Sequence, residues 1–145
     1  MVDRCLRALV ADDNQAYRSL LGAILESQGF SVAAVSDGRQ AVAAVEISDF
    51  DLILMDVNMP DMDGLTATRM IRRHEVETGH APAKLFMVTS KTRDEDRAHS
   101  RQAGADGHIG KPIAFDGIVH LAAQCRCGAW DDSWDISEPG AQRRI

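Results

Sequence analysis

The chain has 145 residues, 45% apolar and 26% charged, which at roughly 150 residues per domain allows one globular domain with a short extension. With 16 Lys and Arg against 22 Asp and Glu the net charge is −6, which argues against a binder of phosphate backbones and therefore against direct nucleic-acid recognition. Three cysteines, two crowded into Cys125-Arg126-Cys127, argue against a disulfide framework, and neither a membrane-length apolar run nor a signal peptide stands in the sequence, so a cytoplasmic protein is expected.

Short apolar runs alternate with amphipathic stretches. Leu6–Ala11 is the first run and leads into Asp12-Asp13. Tyr17, Leu20, Leu21, Ile24 and Leu25 then recur at helical spacing, with Gly29 as the stop. Phe30–Val35 reads as a second strand, after which Asp37 caps a helix running through Glu46. Leu52–Met55 is apolar on both faces, as a central parallel strand covered by helices should be, and it ends at Asp56. A third helix is expected over Leu65–His74, and a fourth strand over Leu85–Val88, leading into Thr89-Ser90. Thr92–Ala103 reads as a helix with Thr92 as N-cap and Asp94, Glu95 and Asp96 in its first turn, but Ala98 and Ala103 are its only apolar residues. Gly107–Ile109 is the weakest strand signal and leads to Lys111-Pro112. Phe115–Cys125 closes the series as a fifth helix, with Phe115, Ile118, Ala122 and Cys125 on one face. The composition shifts at Gly128: residues 128–145 hold both tryptophans and four acids, and read as a tail, expected either to be disordered or to bind a partner.

Strand followed by helix, five times over, implies a parallel sheet with right-handed crossovers and hence a doubly wound α/β domain. Ligands of such sheets bind outside the carboxyl ends of the strands. There this sequence places Asp12, Asp13 and Asp56, together with the Thr89 hydroxyl and the Lys111 ammonium. Crowded carboxylates either raise a pKa or recruit a cation, and hard oxygen donors in an incomplete cage suit Mg²⁺. A carboxylate also serves as a nucleophile toward phosphorus, given countercharge. The residues alone thus point to a metal-assisted phosphoryl acceptor with Asp56 as nucleophile.

Asp12-Asp13, the run from Asp56 through Asn58, Met59, Pro60, Asp61, Met62 and Asp63 to Gly64, Met87-Val88-Thr89-Ser90, Ala103-Gly104-Ala105-Asp106 and Lys111-Pro112 together resemble the receiver domain of two-component response regulators, over about residues 5–125. The resemblance implies a flavodoxin-like sheet in strand order 2-1-3-4-5 with five helices, a receiver domain over residues 1–127 and a C-terminal tail over 128–145. It implies that Asp56 accepts the phosphoryl group from a histidine kinase or a histidine phosphotransfer protein. Mg²⁺ would be held by Asp13, Asp56 and the backbone carbonyl of Asn58, with Asp12 acting through water. Lys111 would pair with the acyl phosphate, its bond to Pro112 would be cis, and Thr89 would swing toward the phosphoryl group. The domain would be a signalling module with self-catalysed phosphotransfer and autodephosphorylation rather than a conventional enzyme.

Where the family commonly has Tyr or Phe three residues before the lysine, this chain has His108, which sets the usual coupling between Thr89 and the outer face against simple packing at a strand edge. Asp61 and Asp63 read as solvated loop residues. Asp61-Met62-Asp63-Gly64 imitates the opening of a haloacid-dehalogenase-like phosphatase, but Pro60 precedes it and the strand has already ended. His120 with Cys125 and Cys127 lacks a fourth ligand for zinc. The residues beyond Cys127 leave no room for an output domain, so two readings stay open: a phosphorylation-dependent binding switch, or a relay receiver of the hybrid-kinase type that passes the phosphoryl group onward.

Overall fold

Five of the apolar runs form strands in the computed structural model, which describes residues 5–90 and 93–130. They are β1 (Arg7–Ala11), β2 (Ser31–Val35), β3 (Leu52–Met55), β4 (Lys84–Thr89) and β5 (Gly107–Gly110), alternating with α1 (Gln15–Ser27), α2 (Gly38–Ile47), α3 (Gly64–Thr78), α4 (Asp94–Ala103) and α5 (Phe115–Cys127). All pairings are parallel, in the order β2-β1-β3-β4-β5, with Ala11 beside Met55 and Met55 beside Met87. Order and class are those expected.

Because successive strand residues face opposite ways, one set of strands builds two cores. Val10, Leu54, Val88 and Ile109 face α1 and α5 and pack on Leu21, Ile24, Leu25, Ile118 and Leu121. Leu9, Ile53, Met55 and Met87 face the other side and pack on Val42, Val45, Ala67 and Ile71 of α2 and α3. Each Leu or Ile fully buried this way contributes about 1.5–3 kcal/mol. By the same alternation His108 points to the α3 and α4 side while Ile109 joins the α1 and α5 core. α4 is the exception among the helices, burying only Ser100 and Ala103.

The helix boundaries follow their caps. Asn14, Asp37 and Asp63 each accept a hydrogen bond from an amide in the first turn of α1, α2 and α3, at 3.1, 2.8 and 2.8 Å. The sequence pattern ended α3 at His74; the helix runs on to Thr78 because Glu75, though charged, is buried with partners, and the stop is Gly79 at φ +71°. α4 begins at Asp94, with the Arg93 amide donating to Asp96 Oδ2 at 3.2 Å; the expected cap, Thr92, lies outside the described residues. α5 continues to Cys127, two residues past the expected Cys125, and ends at Gly128 in the left-handed region. Trp130 is therefore not on a further turn of α5. It stacks on Phe86 with ring centroids 5.8 Å apart, and Lys84 Nζ lies 5.3 Å from its ring centre. Trp134 and the rest of the tail lie outside the described residues.

One side chain ties α3 to the strand edges opposite the acidic end. Arg72 Nη1 donates to Glu75 Oε1 (2.7 Å) and the Ala83 carbonyl (2.8 Å), Nε to the Gly104 carbonyl (2.8 Å), and Nη2 to Asp106 Oδ2 (2.8 Å). Removing a partner from such a network strands a buried carboxylate. Arg72→Leu, which keeps most of the stem, is expected to lower unfolding free energy by about 2–4 kcal/mol in urea titrations; a loss below about 1 kcal/mol would show that water replaces the guanidinium without penalty.

Candidate functional site

The acidic end of the sheet is assembled by register. The Asp12 amide donates to Val35 and the Asp56 amide to Ala11, at 3.1 and 2.9 Å, so both residues stand where β1 and β3 stop. Asp12 and Asp56 are 1% and 5% exposed, whereas Asp13 is open to solvent. One carboxylate oxygen from each lies within 4.8 Å of the others, and among the described residues this is the one group of three such ligands. Two ligands of one octahedral Mg²⁺ stand about 3–4 Å apart, so the spacing and the hard oxygen donors fit that ion.

Lys111 enters from the end of β5. Its amide donates to the Thr89 carbonyl at 2.9 Å, which continues the β4–β5 ladder, and its peptide bond to Pro112 is cis. Its ammonium lies 2.9 Å from Asp12 Oδ2 and 3.4 Å from Asp56 Oδ2. Thr89, the last residue of β4, is 1% exposed. The structure thus brings together the side chains of Asp12, Asp13, Asp56 and Lys111, and places Thr89 at the carboxyl end of the neighbouring strand β4.

Burial and the neighbouring Asp12 charge push the Asp56 carboxyl up to about 6, against the pull of Lys111 and of the Asn58 amide, which donates to Asp56 Oδ1 at 3.3 Å. Burial works to lower Lys111, yet its bonds to Asp12 and the Asp56 charge hold the ammonium above its ordinary value. With three carboxylates facing one ammonium, the site carries surplus negative charge, the condition that favours a divalent cation.

Other expectations are refined. His108 is fully buried and lies beside Met87 across the β4–β5 ladder. Asp61 and Asp63 are exposed residues of the loop between β3 and α3, as expected; Asp61 also pairs with Arg39 at 2.8 Å and Asp63 caps α3, and neither stands at a strand end as the phosphatase pattern requires. Sequence reading missed Tyr17, whose ring centre lies 4.2 Å from Lys111 Nζ, and Arg18, whose Nη1 donates to the Asp12 carbonyl at 2.7 Å. Both sit on the first turn of α1, just past the paired aspartates, and that position was the available signal. It missed why residue 64 is glycine as well: a side chain there would meet the Asp56 carbonyl, while its amide donates to Val57 at 2.8 Å.

Comparison with known proteins gives a consistent result. The family profile of the response regulator receiver domain matches residues 8–123. The sensor protein GacS of Pseudomonas syringae pv. syringae is 40% identical over 111 residues, which are 77% of this chain and 12% of that protein. The transcriptional regulatory protein TcrA of Mycobacterium tuberculosis is 35% identical over 124 residues, 85% of this chain and 47% of TcrA. The chain therefore spans less than half of either relative. Among solved structures, the receiver domain of the sensor histidine kinase PA1611 from Pseudomonas aeruginosa, with a magnesium ion coordinated in its active-site cleft, superposes with a TM-score of 0.75 at 30% identity, covering 86% of this chain and 99% of that one.

The raised Asp56 carboxyl has a consequence for the metal-free protein. Its folded value, about 6, lies above the ordinary 3.8, so the folded state holds a proton that the unfolded chain releases, and stability falls as pH rises from about 4 to 6. Asp56→Asn is expected to be more stable than the parent at pH 7 by roughly 1–3 kcal/mol, with the difference vanishing near pH 4, in thermal or urea unfolding without divalent cations. A pH-independent difference would mean that Asp56 is not the strained carboxylate.

Proposed function

This chain belongs to the family of response regulator receiver domains and is a phosphoacceptor of a two-component or phosphorelay system; from that premise we propose that Asp56 is the residue phosphorylated. The observation that supports this is the convergence of Asp12, Asp13 and Asp56 at the ends of β1 and β3, with Lys111 Nζ 3.4 Å from Asp56. An Asp56 carboxylate oxygen attacks the phosphorus of a phosphohistidine; the new O–P bond forms as the P–N bond breaks, and the imidazole nitrogen leaves with the electron pair and takes a proton from solvent. Asp13, Asp56 and the Asn58 carbonyl would hold Mg²⁺. Asp12, whose Oδ1 accepts from the Asn14 amide at 2.9 Å, would act through water. When bound, the ion supplies the positive charge that lets an anionic nucleophile approach an anionic phosphoryl group.

The chain's own residues do the rest. Lys111 leaves its carboxylate partners to pair with a phosphoryl oxygen, and Tyr17 keeps its ammonium over the site. Thr89 donates its hydroxyl to the phosphoryl group, and His108 and α4 respond. Phosphotransfer and the later hydrolysis of the acyl phosphate are both self-catalysed. The receiver domain covers residues 1–127, and the tail from 128 onward serves partner recognition rather than chemistry. The module works in the cytoplasm without touching nucleic acid, the latter in keeping with its net charge of −6. Donor and recipient are a histidine kinase or a histidine phosphotransfer protein. A second reading is favoured by likeness to GacS and to the PA1611 receiver, both from sensor proteins: the domain relays its phosphoryl group onward to a phosphotransfer histidine.

Incubation with Mg²⁺ and acetyl phosphate is expected to add one acid-stable, base-labile phosphoryl group, visible by intact mass, and Asp56→Asn is expected to take none. Labelling of that variant at the parent's rate would refute the assignment. Transfer from the labelled protein to a purified phosphotransfer protein separates relay from terminal switch. Thr89→Ala should still be labelled, but with a blunted change in hydrogen exchange over Asp94–Ala103; equal changes in parent and variant would place the coupling elsewhere.

A further inference from the structure

The loop that follows the acceptor carries a residue in an unusual conformation. Asp61 has φ +70° and is the one non-glycine residue with positive φ among those described. Aspartate is among the few non-glycine residues that visit this region, and surrounding contacts favour it there. The contacts here come from the N-terminus of α2. Arg39 Nε donates to Asp61 Oδ2 at 2.8 Å, and the Gly38 amide donates to the Met62 carbonyl at 3.1 Å. The approach is so close that any side chain at position 38 would collide with that carbonyl. Within the loop the Met62 amide donates to Pro60 at 2.8 Å, and at its far end the Gly64 amide donates to Val57 at 2.8 Å. Residues 57–64 are thus closed on themselves and clasped from one side by α2.

The loop starts next to Asp56 and contains Asn58, whose amide bonds to the acceptor carboxylate. Holding Met62 and Asp61 therefore restricts the backbone that presents Asn58. The same ion pair commits the Asp61 carboxylate to Arg39, away from a site that already gathers three acids.

We propose that Arg39 is a positioning residue: by latching Asp61 it keeps the loop after β3 in the conformation that presents Asn58 to the cation. The inference rests on the Mg²⁺-dependent reading above, but the loop's closure is measurable without any metal. Both partners are more than half exposed, and exposed pairs are worth at most about 1 kcal/mol, so the latch tunes the loop by about fivefold at most and does not hold the fold together.

The test uses the full chain and two readouts, native-state hydrogen exchange at the amides of Gly38, Met62 and Gly64 without metal, and Mg²⁺ binding by calorimetry. Arg39→Ala is expected to raise exchange at those amides by about two- to fivefold and weaken Mg²⁺ binding by a similar factor, with the Tm unchanged. Adding Asp61→Gly supplies a residue that adopts positive φ without a partner, and should bring both readouts back to within about twofold of the parent. An Arg39 that acted only by attracting anions to the site would not be rescued this way. Unchanged exchange in Arg39→Ala, unchanged Mg²⁺ affinity, or failure of the glycine to restore either readout would each overturn the latch. Acetyl phosphate labelling of the parent and of Asp56→Asn, run alongside, tests the proposed function separately from the latch.

Discussion

Like charge crowded into little solvent is the constraint around which this molecule is organised. Asp12 and Asp56 are almost fully buried, Asp13 stands beside them, and the nearest countercharge is one ammonium. Left to themselves such groups would separate or take up protons. Asp12 and Asp56 cannot separate, because each is fixed by the backbone ladder at the end of a strand with both faces covered, and the crowding shows instead in the raised Asp56 carboxyl. The two cores supply the stability against which that electrostatic penalty is set.

This division of labour explains the placement of the polar contacts. At the acidic end several neighbours offset the carboxylate charge: the Asn14 and Asn58 amides donate to them, Lys111 pairs with two of them, and Arg18 holds the Asp12 carbonyl. At the opposite edge Arg72 donates to both Glu75 and Asp106 in a hydrogen-bonded network that ties α3 to the starts of β4 and β5. The first end is electrostatically strained and holds the candidate site, while the second is satisfied and structural. Asp61 and Arg39 lie between these extremes: an exposed pair, weak by itself, but attached to a loop that reaches the acceptor.

Most of the architecture was legible because it rests on periodicity. Leu52–Met55 is apolar on both faces and became the central strand with those bounds, and even the weak Gly107–Ile109 run became β5, since edge strands need little apolar content when a ladder partner fixes them. The residues of the candidate site were legible because a parallel sheet gathers whatever stands at its strand ends. Long-range pairings between ordinarily solvated side chains were not. Nothing local joins Arg39 to Asp61 or Tyr17 to Lys111, and nothing in a helical pattern says that Glu75 is buried or that α3 runs on to Thr78. The stacking of Trp130 on Phe86 was hidden for a similar reason, since Gly128 breaks the helical register that would have related the indole to α5.

The sparse anchoring of α4 has a mechanical reading. α1 and α5 meet the sheet through Leu and Ile side chains seated among others, so displacing either would open voids, and each behaves as a stiff member. α4 meets it through a serine and an alanine, and sliding over so smooth a contact opens almost none. In a body made of stiff and compliant parts joined in series, an imposed distortion collects in the compliant one. A local rearrangement at the carboxyl end of β4 would therefore be expressed as travel of α4, and the small size of Ser100 and Ala103 sets how far that travel goes for a given amount of work.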